Sequence, residues 1–158
     1  MSLVKQVFDI GYFFRALQVQ MRFGDLSRAP LRLLRLELRG DTAECDWIAR
    51  AADQWDGDIP RQARGENVST QALEDAIAVR KLLFTSLPGV EKALFRVFRE
   101  SAAGEVELII TGTVTREQQA ARNISSLVMR AKLLGLQFWI EDGILEAFRS
   151  QECEMSFS

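Results

Sequence analysis

Apolar residues open the chain at Leu3, Val7, Ile10, Phe14, Leu17 and Met21, separated by four, three, four, three and four positions. That spacing is the seam of an amphipathic helix, broadened here by Val4, Phe8 and Phe13, and it predicts a helix over residues 3–21. Gly11 lies inside it at a cost of about 1 kcal/mol relative to Ala. Phe23-Gly24-Asp25 ends the segment, and residues 24–30 read as a loop closed by Pro30.

The period then changes to two. Leu34, Leu36 and Leu38 alternate with Arg35, Glu37 and Arg39, Gly40-Asp41 follows, and Ala43, Cys45 and Trp47 alternate with Glu44 and Asp46. A two-residue type II′ turn at 40–41 makes a β-hairpin. Its register sets Leu38 against Ala43, Leu36 against Cys45 and Leu34 against Trp47 on one face. On the other face Arg35 meets Asp46, and Glu37 meets Glu44 with like charge. The alanines also permit a helix over 42–54; the agreement of both faces favours the strand.

Residues 51–67 hold the turn formers Asp56, Gly57, Asp58, Pro60, Gly65 and Asn67 and read as a long loop. A helix is predicted over 69–87, capped by Ser69 or Thr70, with Glu74 and Asp75 near its positive end and Pro88-Gly89 stopping it. Two strands follow. Ala93, Phe95 and Val97 share one face of the first and Leu94 and Phe98 the other, so it reads as buried on both sides. Val106, Leu108, Ile110 and Val114 line the second, with Gly112 in the same row at a close contact or bulge. Thr115 and Gln118 form a capping box for a helix over 116–134. Gly135 ends that helix, Leu136, Phe138 and Ile140 alternate in a last strand, and 144–148 reads as a short helical turn.

The expected fold class is α+β. An antiparallel or mixed sheet of about five strands carries the helices 69–87 and 116–134 on one face. Its order is ferredoxin-like, βαββαβ, if a strand of 31–49 serves as the first. The amphipathic helix at the N-terminus is additional. One domain is expected over 1–148, with the helix at 1–23, the sheet-helix core at 31–142 and a loose tail at 149–158.

Leu87-Pro88-Gly89-Val90 at a helix end, Ile110-Thr111-Gly112-Thr113-Val114 at a strand end, and the helix starting near Arg116 carry a resemblance. On these residues the segment 70–142 resembles the bacterial BON domain, a small αββαβ module. Gly135-Leu136 stands where that family usually has Gly-Val. The resemblance implies attachment at an envelope or membrane surface.

Composition narrows the chemistry. The 158 residues contain no histidine, which removes Ser-His-Asp and Cys-His catalysis and histidine-ligated metals. Two cysteines, Cys45 and Cys153, make neither a disulfide framework nor a zinc site. Cys45 reads as a buried thiol and Cys153 as exposed, which suits a reducing, cytoplasmic setting. No phosphate-binding glycine motif is present, and no cofactor is expected. The formal charge of −2 argues against nucleic acid as a partner. Phe95 and Phe98, flanked by Arg96 and Arg99, could stack RNA bases only from opposite faces of a strand. Charge is uneven: residues 1–40 carry seven basic and three acidic groups, and residues 41–75 carry three and nine.

The expected function is therefore a non-enzymatic binding or assembly module, self-associating as a homodimer through Leu3, Val7, Ile10, Phe14, Leu17 and Met21, or engaging another protein. One alternative is a small carboxylate-based enzyme or metal-binding domain using Asp53, Trp55, Asp56 and Asp58 as a ligand or partner loop, although that spacing is not that of an EF-hand. The other is the peripheral membrane-surface module that the BON resemblance implies, which the lack of an export signal disfavours.

Overall fold

The computed structural model describes residues 3–20, 31–50, 60–101, 103–117 and 126–148. Along the chain run α1 (Leu3–Gln20), β1 (Arg32–Arg39), β2 (Thr42–Ile48), α2 (Arg61–Ser86), β3 (Lys92–Glu100), β4 (Val106–Thr115), α3 (Leu127–Leu133), β5 (Leu136–Gln137), β6 (Trp139–Glu141) and β7 (Ile144–Glu146). This is an α+β fold built on a mixed five-stranded sheet in the order β1-β2-β3-β4-β5, beside a separate two-stranded β6-β7 ribbon.

The pairing follows the two-residue period. β1 and β2 are antiparallel, with Leu38 opposite Ala43, Leu36 opposite Cys45, Arg35 opposite Asp46 and Glu37 opposite Glu44. Residues 42–48 are strand, so the helical alternative for 42–54 fails over that stretch. Gly40 takes φ +61 and is the only residue of the turn with positive φ, the type II′ pattern. One pair differs from expectation. A bulge between Leu33 and Arg35 sets Leu33, not Leu34, against Trp47, and leaves Leu34 exposed.

β2 and β3 are parallel neighbours joined through α2, while β3-β4 and β4-β5 are antiparallel. The chain order β2-α2-β3-β4-α3-β5 has the expected sequence of elements. In space, however, the strands lie in sequential order, and the βαβ unit β2-α2-β3 is not split by an intervening strand as a ferredoxin-like sheet would require.

Register carries side chains into rows that cross the sheet. Leu36, Cys45, Phe95, Gly112 and Leu136 form one row; Leu38, Ala43, Ala93 and Val114 form a second; Leu33, Trp47, Val97 and Ile110 form a third. These rows join Leu73, Ala76, Val79 and Leu83 of α2 in one core cluster. Trp47 meets Phe95 edge to face at 5.0 Å. The opposite face carries the rows Glu37-Glu44-Leu94-Thr113 and Arg35-Asp46-Arg96-Thr111-Gln137. Leu94 and Phe98 lie there and are only half-buried, short of the two-sided burial expected for β3.

Three expectations are corrected. First, α2 begins at Arg61, eight residues before Ser69, and runs through Gly65 and Asn67. Local turn propensity is overridden by packing: Ile144 lies where a Gly65 side chain would start, and the buried Ser69 hydroxyl accepts a 2.8 Å bond from the Leu145 amide. Ser69 is therefore a mid-helix anchor and not a cap. Second, Thr115 ends β4, paired with Lys92, and does not start a helix. The cap of α3 is Ser126, which accepts from the Met129 amide at 3.3 Å. Gln118 and residues 119–125 lie outside the described residues. Third, residues 144–146 are strand, not a helical turn. Asp142 and Gly143 both take positive φ, 54° and 81°, as a two-residue type I′ hairpin requires.

The predicted close contact at Gly112 is present. Its φ is +149, and an added Cβ would fall on the Gly135 carbonyl oxygen, where β5 joins the sheet. The tail 149–158 lies outside the described residues.

Candidate interaction surface

The side chains of Leu3 and Val7, all of Met21, and the acidic group Asp53, Trp55, Asp56 and Asp58 lie outside the described residues. Of the remaining seam, Leu17 is buried and Ile10 packs partly against the core of its own chain, together with Phe13 and Ala16. α1 packs on α2, an acceptor surface the sequence reading did not consider. At 100° per residue, Tyr12 and Phe14 flank this buried arc on its two sides. They are 53% and 41% exposed.

α2 accepts α1 because it is buried nearly all round. From Ser69 to Ser86 only Lys81 and Thr85 are exposed. Such a helix must satisfy its inward polar groups internally. Arg50, two residues past β2, donates from Nε to Asp75 Oδ2 at 2.7 Å and from Nη2 to Oδ1, and Gln71 donates to the same Oδ1 at 2.7 Å. Both ion-pair side chains are 2% exposed. Asp75, expected near a helix start, is thus held deep in the helix as one arm of a bidentate clamp.

A second arginine closes the far end of α2. Arg116 donates to the carbonyls of Phe84, Leu87 and Val90 at 2.6–3.1 Å. Its guanidinium lies 5.1 Å from the Phe84 ring centre, and that of Arg80 lies 5.5 Å from it. Cations at a helix C-terminus complement its negative end. A third, Arg99, spans Glu107 and the Leu145 carbonyl, fixing the β6-β7 ribbon to the sheet. These guanidinium groups act as internal fasteners.

The face of the sheet away from α2 is charged and balanced. Arg35 donates to Glu37 and, at 2.8 Å, to Glu44; Arg39 donates to Glu37 at 2.8 Å; Arg96 donates to Asp46 at 3.0 Å. The like charges of Glu37 and Glu44 are therefore bridged by Arg35. Hydrogen bonds from Arg39 and then Arg35 hold the Glu37 carboxyl below its ordinary pKa, and bonds to Glu37 and Glu44 raise that of Arg35. On the core side, burial pushes the Cys45 thiol well above its usual range. Among the described residues no group of three or more His, Cys, Asp or Glu side chains is arranged to hold a metal, and no helix is long and apolar enough to cross a membrane.

The sequence reading missed Arg50 and Asp75 as partners, because residues 25 apart give no periodic signal. It also missed the β6-β7 ribbon, whose Asp142-Gly143 between alternating apolar positions is a legible hairpin mark. The chain matches no known family model, no curated protein and no solved structure.

Proposed function

We propose that this protein is a non-enzymatic assembly module that associates with copies of itself. The observation that carries the reading is α1. Its buried arc is satisfied within the chain, yet Tyr12 and Phe14 leave aromatic surface on both margins. The polar clusters support it, since Arg50-Asp75-Gln71, Arg116 and Arg99 are engaged in holding elements together. Light scattering across a concentration series tests it. The expected mass is twice that of the monomer, and a monomer at high micromolar concentration refutes it.

A second reading is a peripheral membrane-surface module. The order α2-β3-β4-α3-β5 over 70–142 favours it, being the αββαβ order of the BON domain that this segment resembles. Co-sedimentation with anionic vesicles is expected under that reading and not under the first.

A further inference from the structure

We propose that two copies join through the free edge of β1, paired antiparallel with β1 of a second copy about a two-fold axis at Leu36. This rests on the self-association reading and places the two-fold contact at the sheet edge, with the α1 margins of Tyr12 and Phe14 as the competing surface. Among the described residues β1 ends the sheet order and is paired on one side only, with β2. The opposite edge is β5, only two residues long, and farther along β4 the Phe148 amide donates to the Leu108 carbonyl at 2.8 Å.

The hydrogen-bond phase of β1 follows from its turn. Arg39 and Thr42 flank a two-residue turn, so they form a hydrogen-bonded pair. Antiparallel pairs alternate, so Glu37-Glu44 and Arg35-Asp46 are bonded as well. Leu36 and Leu38 then direct their amides and carbonyls away from β2, toward the open edge. A second β1 can bond there only in registers that set Leu36 and Leu38 against residues in the same phase.

Charge and strand overlap together select one of those registers, since an axis at Leu38, which also sets Glu37 against Arg39, carries the pairing into the Gly40-Asp41 turn. With Leu36 opposite Leu36, Arg35 faces Glu37 of the second copy, and Leu34 faces Leu38. Shifting the axis to residue 35 sets Arg35 against Arg35; shifting it to residue 37 sets Glu37 against Glu37. The segment Leu34-Arg35-Leu36-Glu37-Leu38 is self-complementary about its centre. Burial agrees. Ala43, Cys45 and Trp47 are fully buried, whereas their β1 partners Leu38, Leu36 and Leu33 are half-buried and Leu34 is 48% exposed. A second β1 would cover that margin and join two five-stranded sheets into one.

The test uses the full chain with Cys153→Ser. Arg35→Cys and Glu37→Cys are made separately, and then mixed under oxidised glutathione. Facing residues of a non-hydrogen-bonded antiparallel pair lie about 4.5 Å apart at Cα, within disulfide reach. The mixture is expected to form a disulfide-linked dimer that neither variant forms alone. Leu34→Lys should weaken the dimer about tenfold or more with an unchanged urea midpoint at dilute concentration, and Glu37→Lys should weaken it at least as much while also lowering that midpoint, because Glu37 pairs with Arg35 and Arg39 of its own chain. A dimer that resists both substitutions and gives no mixed cross-link overturns the β1 edge while leaving self-association standing. A monomer at high micromolar concentration overturns both.

Discussion

Removing the Asp75 carboxylate tests the buried clamp between α2 and the end of β2. In Asp75→Leu the Arg50 guanidinium, 2% exposed, loses both bonds it makes to that carboxylate, and Gln71 loses an acceptor. Breaking one side of a buried ion pair costs about 3–5 kcal/mol, because the buried charge loses its counter-ion and regains little water. With a urea slope of about 2 kcal/mol per molar, the denaturation midpoint should fall by about 1.5–2.5 M at unchanged slope. The double variant Arg50→Met, Asp75→Leu removes both charges and replaces them with apolar volume. It should recover to within about 1 kcal/mol of the parent. The large non-additivity is the signature, since two unrelated packing defects would sum. A midpoint shift below about 0.5 M for Asp75→Leu, or a double variant no better than the singles, would refute this account of the pair.

Gly112→Ala should cost at least about 3 kcal/mol, read by urea denaturation, because its Cβ would meet the Gly135 carbonyl, a backbone atom. By contrast nothing lies within 4 Å of a Cβ at Gly40. The expected loss for Gly40→Val, more than about 1 kcal/mol, is then due to its positive φ alone, and an unchanged midpoint would count against the type II′ turn. Glu37 titrates below its unfolded value. Its contribution is therefore full above about pH 4.3 and is lost as pH falls through the lower folded value, so Glu37→Gln should flatten the acid limb of stability against pH. Cys45, buried with its thiol pKa raised, should resist alkylation at neutral pH until the chain is unfolded, as peptide mass mapping would show.

What was legible in the sequence was whatever a local period or a turn dipeptide could encode. The hairpin register followed from Gly40-Asp41 and two alternating faces, except at Leu34, where the extra residue of a bulge leaves no local mark. The strands around Phe95 and Ile110 and the close approach at Gly112 were legible for the same reason. The start of α2 was not. Pro60, Gly65 and Asn67 argue for a turn, yet Gly65 and Asn67 lie within the helix, where Ile144 and Leu145 dock against it from beyond α3. Asp75 illustrates a second limit. A carboxylate six residues past Ser69 fits a helix-end charge, and only Arg50 from a different element shows it to be a core group. The candidate interface was partly legible: the α1 stripe was visible, but its acceptor on α2 depended on how that helix is buried.

The parallel seam between β2 and β3 has a consequence for how the chain reaches this structure. β1-β2 and β3-β4 each close through short connections, and such hairpins form in microseconds. Joining them requires Trp47 to find Val97 and Cys45 to find Phe95, across the whole of α2. Loop-closure entropy must be met before those contacts contribute, so the seam is the natural rate-limiting event. Truncating Val97 to Ala should therefore slow refolding in stopped-flow traces, whereas truncating Leu38 to Ala, at the edge of the first hairpin, should mainly speed unfolding. α2 serves as the tether that keeps two early-formed hairpins within reach of one another while their shared seam is found.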